Sequence, residues 1–139
     1  MPRAVLDTNV LVSALITPEG ASARLLLEFR AGAFELIVSP TLLAELRDVL
    51  GRPKFERSVS APEVDAYVEL IGCESILIED PAPSPEPLSV DPDGEYLIDL
   101  SRANRVDALV TGDVHLLDLR ETVPVVTPRQ FLESLTGAL

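Results

Sequence analysis

Short apolar runs alternate along the chain with longer segments in which apolar residues recur every three or four positions. The short runs have the composition of strands buried on both faces, and the longer segments have the period of helices. The predicted strands are residues 4–6, 36–38, 76–78, 108–110 and 125–126.

The predicted helices begin after turns and capping residues. Ser39-Pro40 and Thr127-Pro128 are typical helix-opening pairs, because a hydroxyl accepts from free N–H groups and proline is tolerated in the first turn. The alternating prolines of residues 81–87 predict an extended surface loop. The predicted helices begin near residues 10, 21, 40, 62, 92 and 128. Strands that alternate with helices indicate an α/β fold with a parallel sheet covered on both faces.

Length and composition narrow the classes of protein further. The 139 residues suit a single domain, residues 1–139. No apolar stretch approaches the ~20 residues that span a bilayer, so we expect a cytoplasmic protein without membrane contact. Cys73 is the only cysteine, which excludes an internal disulfide.

The net charge of −12 argues against a protein that binds nucleic acid by general phosphate neutralisation. The charge is uneven, however. Residues 1–58 carry seven basic and seven acidic residues, whereas residues 59–100 carry eleven acidic residues and no basic one. We therefore expect any nucleic acid to approach the neutral first half and the acidic block to face solvent or a basic partner.

Two acidic residues directly follow predicted strands. Asp7 comes after the first strand and Asp113 after the fourth, and ligands of open parallel sheets bind beyond the carboxyl ends of strands. Each could equally be an ordinary helix cap or turn residue.

Glu45 is more informative, because it lies next to the apolar face formed by Leu42, Leu46 and Val49. A carboxylate that faces partly inward is costly unless it binds a metal ion or pairs with a cationic side chain. Glu45 is therefore either a metal ligand or the partner of an arginine at the edge of the core.

A third group of acidic residues, Asp91, Asp93 and Glu95, lies at a predicted helix N-terminus, where the helix dipole favours negative charge. One or two of them are expected to be caps, and Glu95 in the first turn is the one expected to project into a site. Convergent carboxylates without a cysteine or histidine cluster favour Mg²⁺ or Mn²⁺. Such sites hydrolyse phosphodiester bonds.

These residues fall into five short motifs that together resemble the PIN domain, and in particular its bacterial toxin components of toxin–antitoxin pairs, similar to VapC. The motifs cover nearly the whole chain in order. They are Val5-Leu6-Asp7-Thr8-Asn9-Val10, Ser39-Pro40 with Glu45, Asp91-Pro92-Asp93-Gly94-Glu95, Val110-Thr111-Gly112-Asp113 with His115-Leu116-Leu117, and Thr127-Pro128-Arg129 with Phe131-Leu132.

The resemblance implies a three-layer sandwich around a central parallel sheet of about five strands, and a Mg²⁺- or Mn²⁺-dependent endoribonuclease. It also implies a homodimer and an antitoxin protein as partners. By position, the metal-binding and catalytic acids would be Asp7, Glu45, Glu95 and Asp113. Thr8, Asn9 and Thr111 would give polar support around them.

One departure from the family pattern concerns the third acid. The family usually has aspartate where this chain has Glu95, and commonly an acid where it has Gly94. Asp93 and Asp91 are therefore alternatives to Glu95 as the third metal ligand. A catalytically degenerate PIN domain that binds protein or RNA is the alternative function.

Residues outside the acids could contact RNA. Arg47, Arg52, Lys54 and Arg57 form a basic cluster, which is either a phosphate-contacting surface or a solvated helix end. His115, the only histidine, is either a contact at the rim of the site or a surface residue. A phosphatase of the haloacid-dehalogenase type is disfavoured, because its general acid would be an aspartate at the position of Asn9.

Overall fold

The computed structural model describes residues 1–89 and 91–137. A five-stranded sheet, parallel throughout, has the strand order β3-β2-β1-β4-β5. The strands are β1 Arg3–Leu6, β2 Glu35–Val38, β3 Ile76–Leu77, β4 Ala108–Val110 and β5 Val125–Val126. The helices are α1 Thr8–Ile16, α2 Ala21–Arg30, α3 Pro40–Leu50, α4 Ala61–Glu74, α5 Pro92–Ala103, α6 Val114–Leu117 and α7 Pro128–Thr136. This is the expected three-layer α/β fold.

The strand order creates a switch point beside β1. The chain first adds β2 and β3 on one side of β1, and then crosses over to add β4 and β5 on the other side. Leu6 at the end of β1 pairs with Val110 at the end of β4. The carboxyl ends of these two strands are therefore adjacent, where ligands bind in open α/β sheets.

Local sequence determines where the helices that surround this edge begin. The Ser39 hydroxyl accepts a hydrogen bond from the Leu42 N–H at 3.3 Å, and Pro40 occupies the first turn of α3. Thr127 and Gln130 form a reciprocal capping box at the start of α7. Both predicted helix-opening pairs are confirmed. Residues 79–89, which include the prolines, form no helix or strand, as expected.

The structure adds two short elements that the hydrophobic pattern did not predict, α6 and a 3₁₀ turn at Pro53–Phe55. Neither is long enough to display a helical repeat. The helix predicted to begin near residue 62 begins at Ala61, after a Ser60–Glu63 capping box, and continues to Glu74.

The core lies between the sheet and its helices. The strand residues Val5, Ile37 and Leu109 are fully buried, and α3 contributes Leu42 and Leu46 to the same apolar cluster. Helix α7 is fixed through Phe131, whose ring packs edge-on against Phe34 at 5.0 Å between centroids. Helix α5 packs on β1 and β4, the two strands that meet at the switch point.

In the described part of the chain, no single helix is long and apolar enough to cross a membrane. Helices α1 and α2 together reach that length and hydropathy, but they meet at a 95° bend.

A buried hydrogen bond joins α4 to α1 and provides a test of this packing. The Tyr67 hydroxyl donates to the Leu11 carbonyl at 2.7 Å. We expect Tyr67→Phe to lower the free energy of unfolding by about 1 kcal/mol, because the buried carbonyl loses its side-chain donor. Urea unfolding measures this difference. Leu27→Ala, at an exposed position of α2, should change stability by less than about 0.5 kcal/mol, and an equal loss in both variants would contradict the assignment.

Candidate active site

Asp7 lies at the junction of β1 and β4. Its backbone N–H donates to the Val110 carbonyl at 2.9 Å, which extends the pairing of the two strands by one residue. Its Oδ2 accepts from the Thr111 hydroxyl at 2.8 Å, and its Oδ1 accepts from the Asn9 N–H at 3.2 Å. Asp7 is therefore both the N-cap of α1 and an acid fixed at the switch point.

The environment of Asp7 opposes its ionisation. The side chain is only 8% exposed, and burial raises the pKa of this carboxyl above its ordinary value. The negative charges of Asp113 and Asp91 raise the pKa further, while the hydrogen bonds from Thr111 and Asn9 lower it. The balance leaves a carboxylate that a nearby cation would stabilise.

Glu45 faces the same region from α3. Burial raises the pKa of Glu45, and the charges of Asp93 and Asp7 add to this effect. The Thr8 hydroxyl and the Arg52 guanidinium oppose it. Although Thr8 favours the charged form of Glu45, its buried Oγ1 makes no hydrogen bond of normal geometry to a described residue.

Two further acids approach from the starts of α5 and α6. Asp91 caps α5 by accepting from the Asp93 N–H at 3.0 Å. Asp113 caps α6 by accepting from the His115 N–H at 2.9 Å, and its own N–H donates to Thr111 Oγ1 at 3.0 Å. Three helix N-termini thus converge here, and their dipoles favour negative charge.

These residues enclose a small acidic pocket of about 100 Å³. Its walls include Gly94 and the apolar side chains Leu97 and Leu116, which sequence reasoning did not assign to the site. Leu97 belongs to the helical repeat of α5 and was a detectable core position, whereas Leu116 lies on α6, which is too short to predict. The lining residues are Asp7, Asn9, Glu45, Asp91, Asp93, Gly94, Leu97, Asp113 and Leu116.

Glu95 does not line this acidic pocket. Its Oε1 accepts hydrogen bonds from the backbone N–H groups of Leu88 at 2.5 Å and Ser89 at 2.8 Å. The side chain lines a separate cavity with residues of the proline loop and Tyr96. The expectation that Glu95 projects into the site is not met in this conformation, because the loop amides hold its carboxylate, and Asp93 and Asp91 face the pocket instead.

The predicted RNA-contacting residues occupy the surface, and several are paired. Arg47 pairs with Asp65, and Arg52 lies 3.6 Å from Asp48. Lys54 lies 5.1 Å above the ring of Phe55. Arg57 and His115 are exposed. Arg52 is the member of this cluster whose charge acts on an acid of the pocket, Glu45.

The acidic pocket matches a divalent metal ion in chemistry, although the site is not preassembled. Its carboxylate donors are oxygen ligands of the kind that Mg²⁺ and Mn²⁺ prefer. Among residues 1–89 and 91–137, no three carboxylate, imidazole or thiolate side chains are already arranged to hold one ion. Binding of one ion by three of these acids would therefore require side-chain rotation.

Sequence comparison defines the family to which this fold and acidic pocket belong. The PIN domain family model matches residues 3–115, so the chain belongs to the PIN domain family. PIN domains are generally metal-dependent nucleases. No curated protein matches the chain in sequence.

Two crystal structures share the fold. PAE2754 from Pyrobaculum aerophilum aligns with a TM-score of 0.66 and 13% identity, over 98% of this chain and 96% of that chain. VapBC2 from Rickettsia felis, bound to a DNA fragment from its promoter, aligns with a TM-score of 0.60 and 17% identity, over 90% of this chain and 98% of that chain.

The raised pKa of Asp7 predicts how the metal-free protein responds to pH. A carboxyl whose pKa is raised on folding contributes full stability below its unfolded value of 3.8, and loses it as pH rises through the folded value. We expect Asp7→Asn, which cannot ionise, to become more stable relative to wild type as pH rises from about 4 to about 7. Urea unfolding in EDTA measures the difference. A difference that does not change with pH would contradict the raised pKa.

Proposed function

We propose that this chain is a Mg²⁺- or Mn²⁺-dependent endoribonuclease and the toxin component of a toxin–antitoxin pair. The observation that supports the nuclease is the acidic pocket, in which carboxylates from four separate parts of the chain meet at the switch point of a PIN fold. Helix capping explains Asp7, Asp91 and Asp113 but not Glu45 and Asp93, and like charges brought together destabilise the metal-free protein.

Asp7, Glu45, Asp93 and Asp113 are the proposed metal ligands. Asp91 lines the same pocket, and because its carboxylate accepts from the Asp93 N–H, we assign it to positioning Asp93. A bound Mg²⁺ or Mn²⁺ would lower the pKa of a water molecule and stabilise charge on the scissile phosphate.

The surrounding residues would hold these acids in place. Thr111 links two of them, since its hydroxyl donates to Asp7 and accepts from the backbone of Asp113. The Asn9 N–H fixes the second oxygen of Asp7. Thr8 supplies a hydroxyl beside Glu45 that is free to bond a ligand or a water molecule.

The proposed partner is an antitoxin that binds the toxin tightly. The fold is shared with VapBC2, a toxin–antitoxin complex crystallised with promoter DNA. The acidic block of residues 59–100 supplies a surface complementary to a basic segment of such a protein. A homodimer and a cytoplasmic location remain part of the proposal.

A degenerate PIN domain that only binds RNA or protein is the second candidate. It is favoured by the position of Glu95 and by the lack, among the described residues, of a preassembled group of metal ligands. The effect of single acid substitutions on RNA cleavage distinguishes a nuclease from a domain that only binds.

We expect Asp7→Asn and Asp93→Asn each to reduce Mn²⁺-dependent cleavage of a mixed RNA pool by about 100-fold or more, because each removes a ligand charge. Gel analysis of cleavage rates over a range of Mn²⁺ concentrations measures the effect. Glu69→Gln, on the exposed face of α4, is the control and should cleave like wild type. Equal activity, or equal inactivity, of wild type and Asp7→Asn would exclude the nuclease at this site.

The position of Arg52 near Glu45 predicts where RNA approaches. We expect the double reversal Arg52→Glu with Lys54→Glu to weaken RNA cleavage by about tenfold, mainly through KM, and to reduce its dependence on salt. The matched control is Arg102→Glu with Arg105→Glu. It makes the same charge change near the C-terminal end of α5, whereas the acidic pocket lies at the N-terminal end of that helix. An equal loss in both double variants would indicate an effect of net charge alone.

A further inference from the structure

The side chain of Glu95 ties the first turn of α5 to the loop before it. One oxygen, Oε1, accepts both the Leu88 and the Ser89 N–H groups, at 2.5 and 2.8 Å. The other oxygen, Oε2, is buried and has no hydrogen-bond partner among the described residues. A half-buried carboxylate used in this way is unusual, because a carboxylate costs more to desolvate than a neutral acceptor.

The hydrogen bonds continue from this loop to the acidic pocket. Ser89 Oγ accepts from the Asp91 N–H at 3.2 Å. Asp91 Oδ1 in turn accepts from the Asp93 N–H at 3.0 Å. The bonds therefore form a relay from Glu95 through Ser89 and Asp91 to Asp93, whose carboxylate lines the pocket.

Gly94 lies close to the other side of the same loop. A Cβ atom at Gly94 would lie 3.0 Å from Ser89 Oγ and 3.2 Å from Leu116 Cδ2. A larger residue at this position would push the Ser89 or Leu116 side chain aside by a few tenths of an ångström, so glycine favours the close packing of the loop and α6 on α5.

We propose that Glu95 is a positioning residue, which holds the segment before α5 so that Asp91 and Asp93 face the metal pocket. This inference rests on the proposed nuclease site. Two N–H groups donate to one side-chain oxygen, and the amide oxygen of glutamine, which also has two lone pairs, can accept both. The role therefore needs the length and the oxygen of Glu95 rather than its charge, whereas a metal ligand would need the charge.

Isosteric replacement separates these roles. Titration calorimetry with Mn²⁺ alone should show that Glu95→Gln binds within about threefold of wild type, whereas Glu95→Ala and Asp93→Asn each bind at least about tenfold more weakly. Hydrogen exchange of the metal-free protein provides a second measurement, independent of the ion. The Leu88 and Ser89 amides should exchange at least about tenfold faster in Glu95→Ala, and near the wild-type rate in Glu95→Gln.

Two results would overturn the proposal. A loss of Mn²⁺ affinity in Glu95→Gln equal to that in Asp93→Asn would identify Glu95 as a ligand. Wild-type Mn²⁺ affinity and wild-type amide exchange in Glu95→Ala would show that Glu95 does not hold the segment before α5. If the expected binding and exchange pattern appears but neither the wild type nor Glu95→Gln cleaves RNA, the positioning role stands and the proposed nuclease fails.

Discussion

The hydrogen bond between the Asp7 backbone and Val110 is the contact on which the site depends. It continues the β1–β4 ladder beyond the last strand residues, so the start of α1 and the turn after β4 are fixed relative to each other. Thr111 then bonds both Asp7 and the backbone of Asp113. The register of β1 and β4 therefore determines the spacing of Asp7 and Asp113, and burial of these strands fixes that register.

The other acids of the pocket lie on different structural elements, and the element determines the electrostatic environment of each carboxylate. Asp91 and Asp113 are helix caps, so backbone N–H groups offset part of their charge. Glu45 sits on the edge of the buried face of α3, where burial raises its pKa. The site thus combines acids that cap helices with two acids, Asp7 and Glu45, whose pKa values are raised by burial. A cation would stabilise the charged forms of Asp7 and Glu45, because it offsets their desolvation.

The sequence predicted the fold class, all five strands and six of the seven helices in the described part of the chain. The apolar runs and the Ser39 and Thr127 caps identified strands and helices, because both signals are local. The prediction for Glu95 was different in kind. Its sequence position in the first turn suggested projection into the pocket, but the amides that hold it belong to a loop whose path depends on tertiary packing at Gly94. Such contacts leave no periodic signal.

The strands at the two sides of the sheet also determine how the molecule can associate. Both outer strands, β3 and β5, consist of only two residues, so each side offers very few free backbone groups for pairing with another chain. Extension of the sheet from one copy into the next is therefore disfavoured. Association with a second copy or with another protein would have to rely on side-chain surfaces of the helices and loops, where substitutions alter specificity without disturbing the strand ladder.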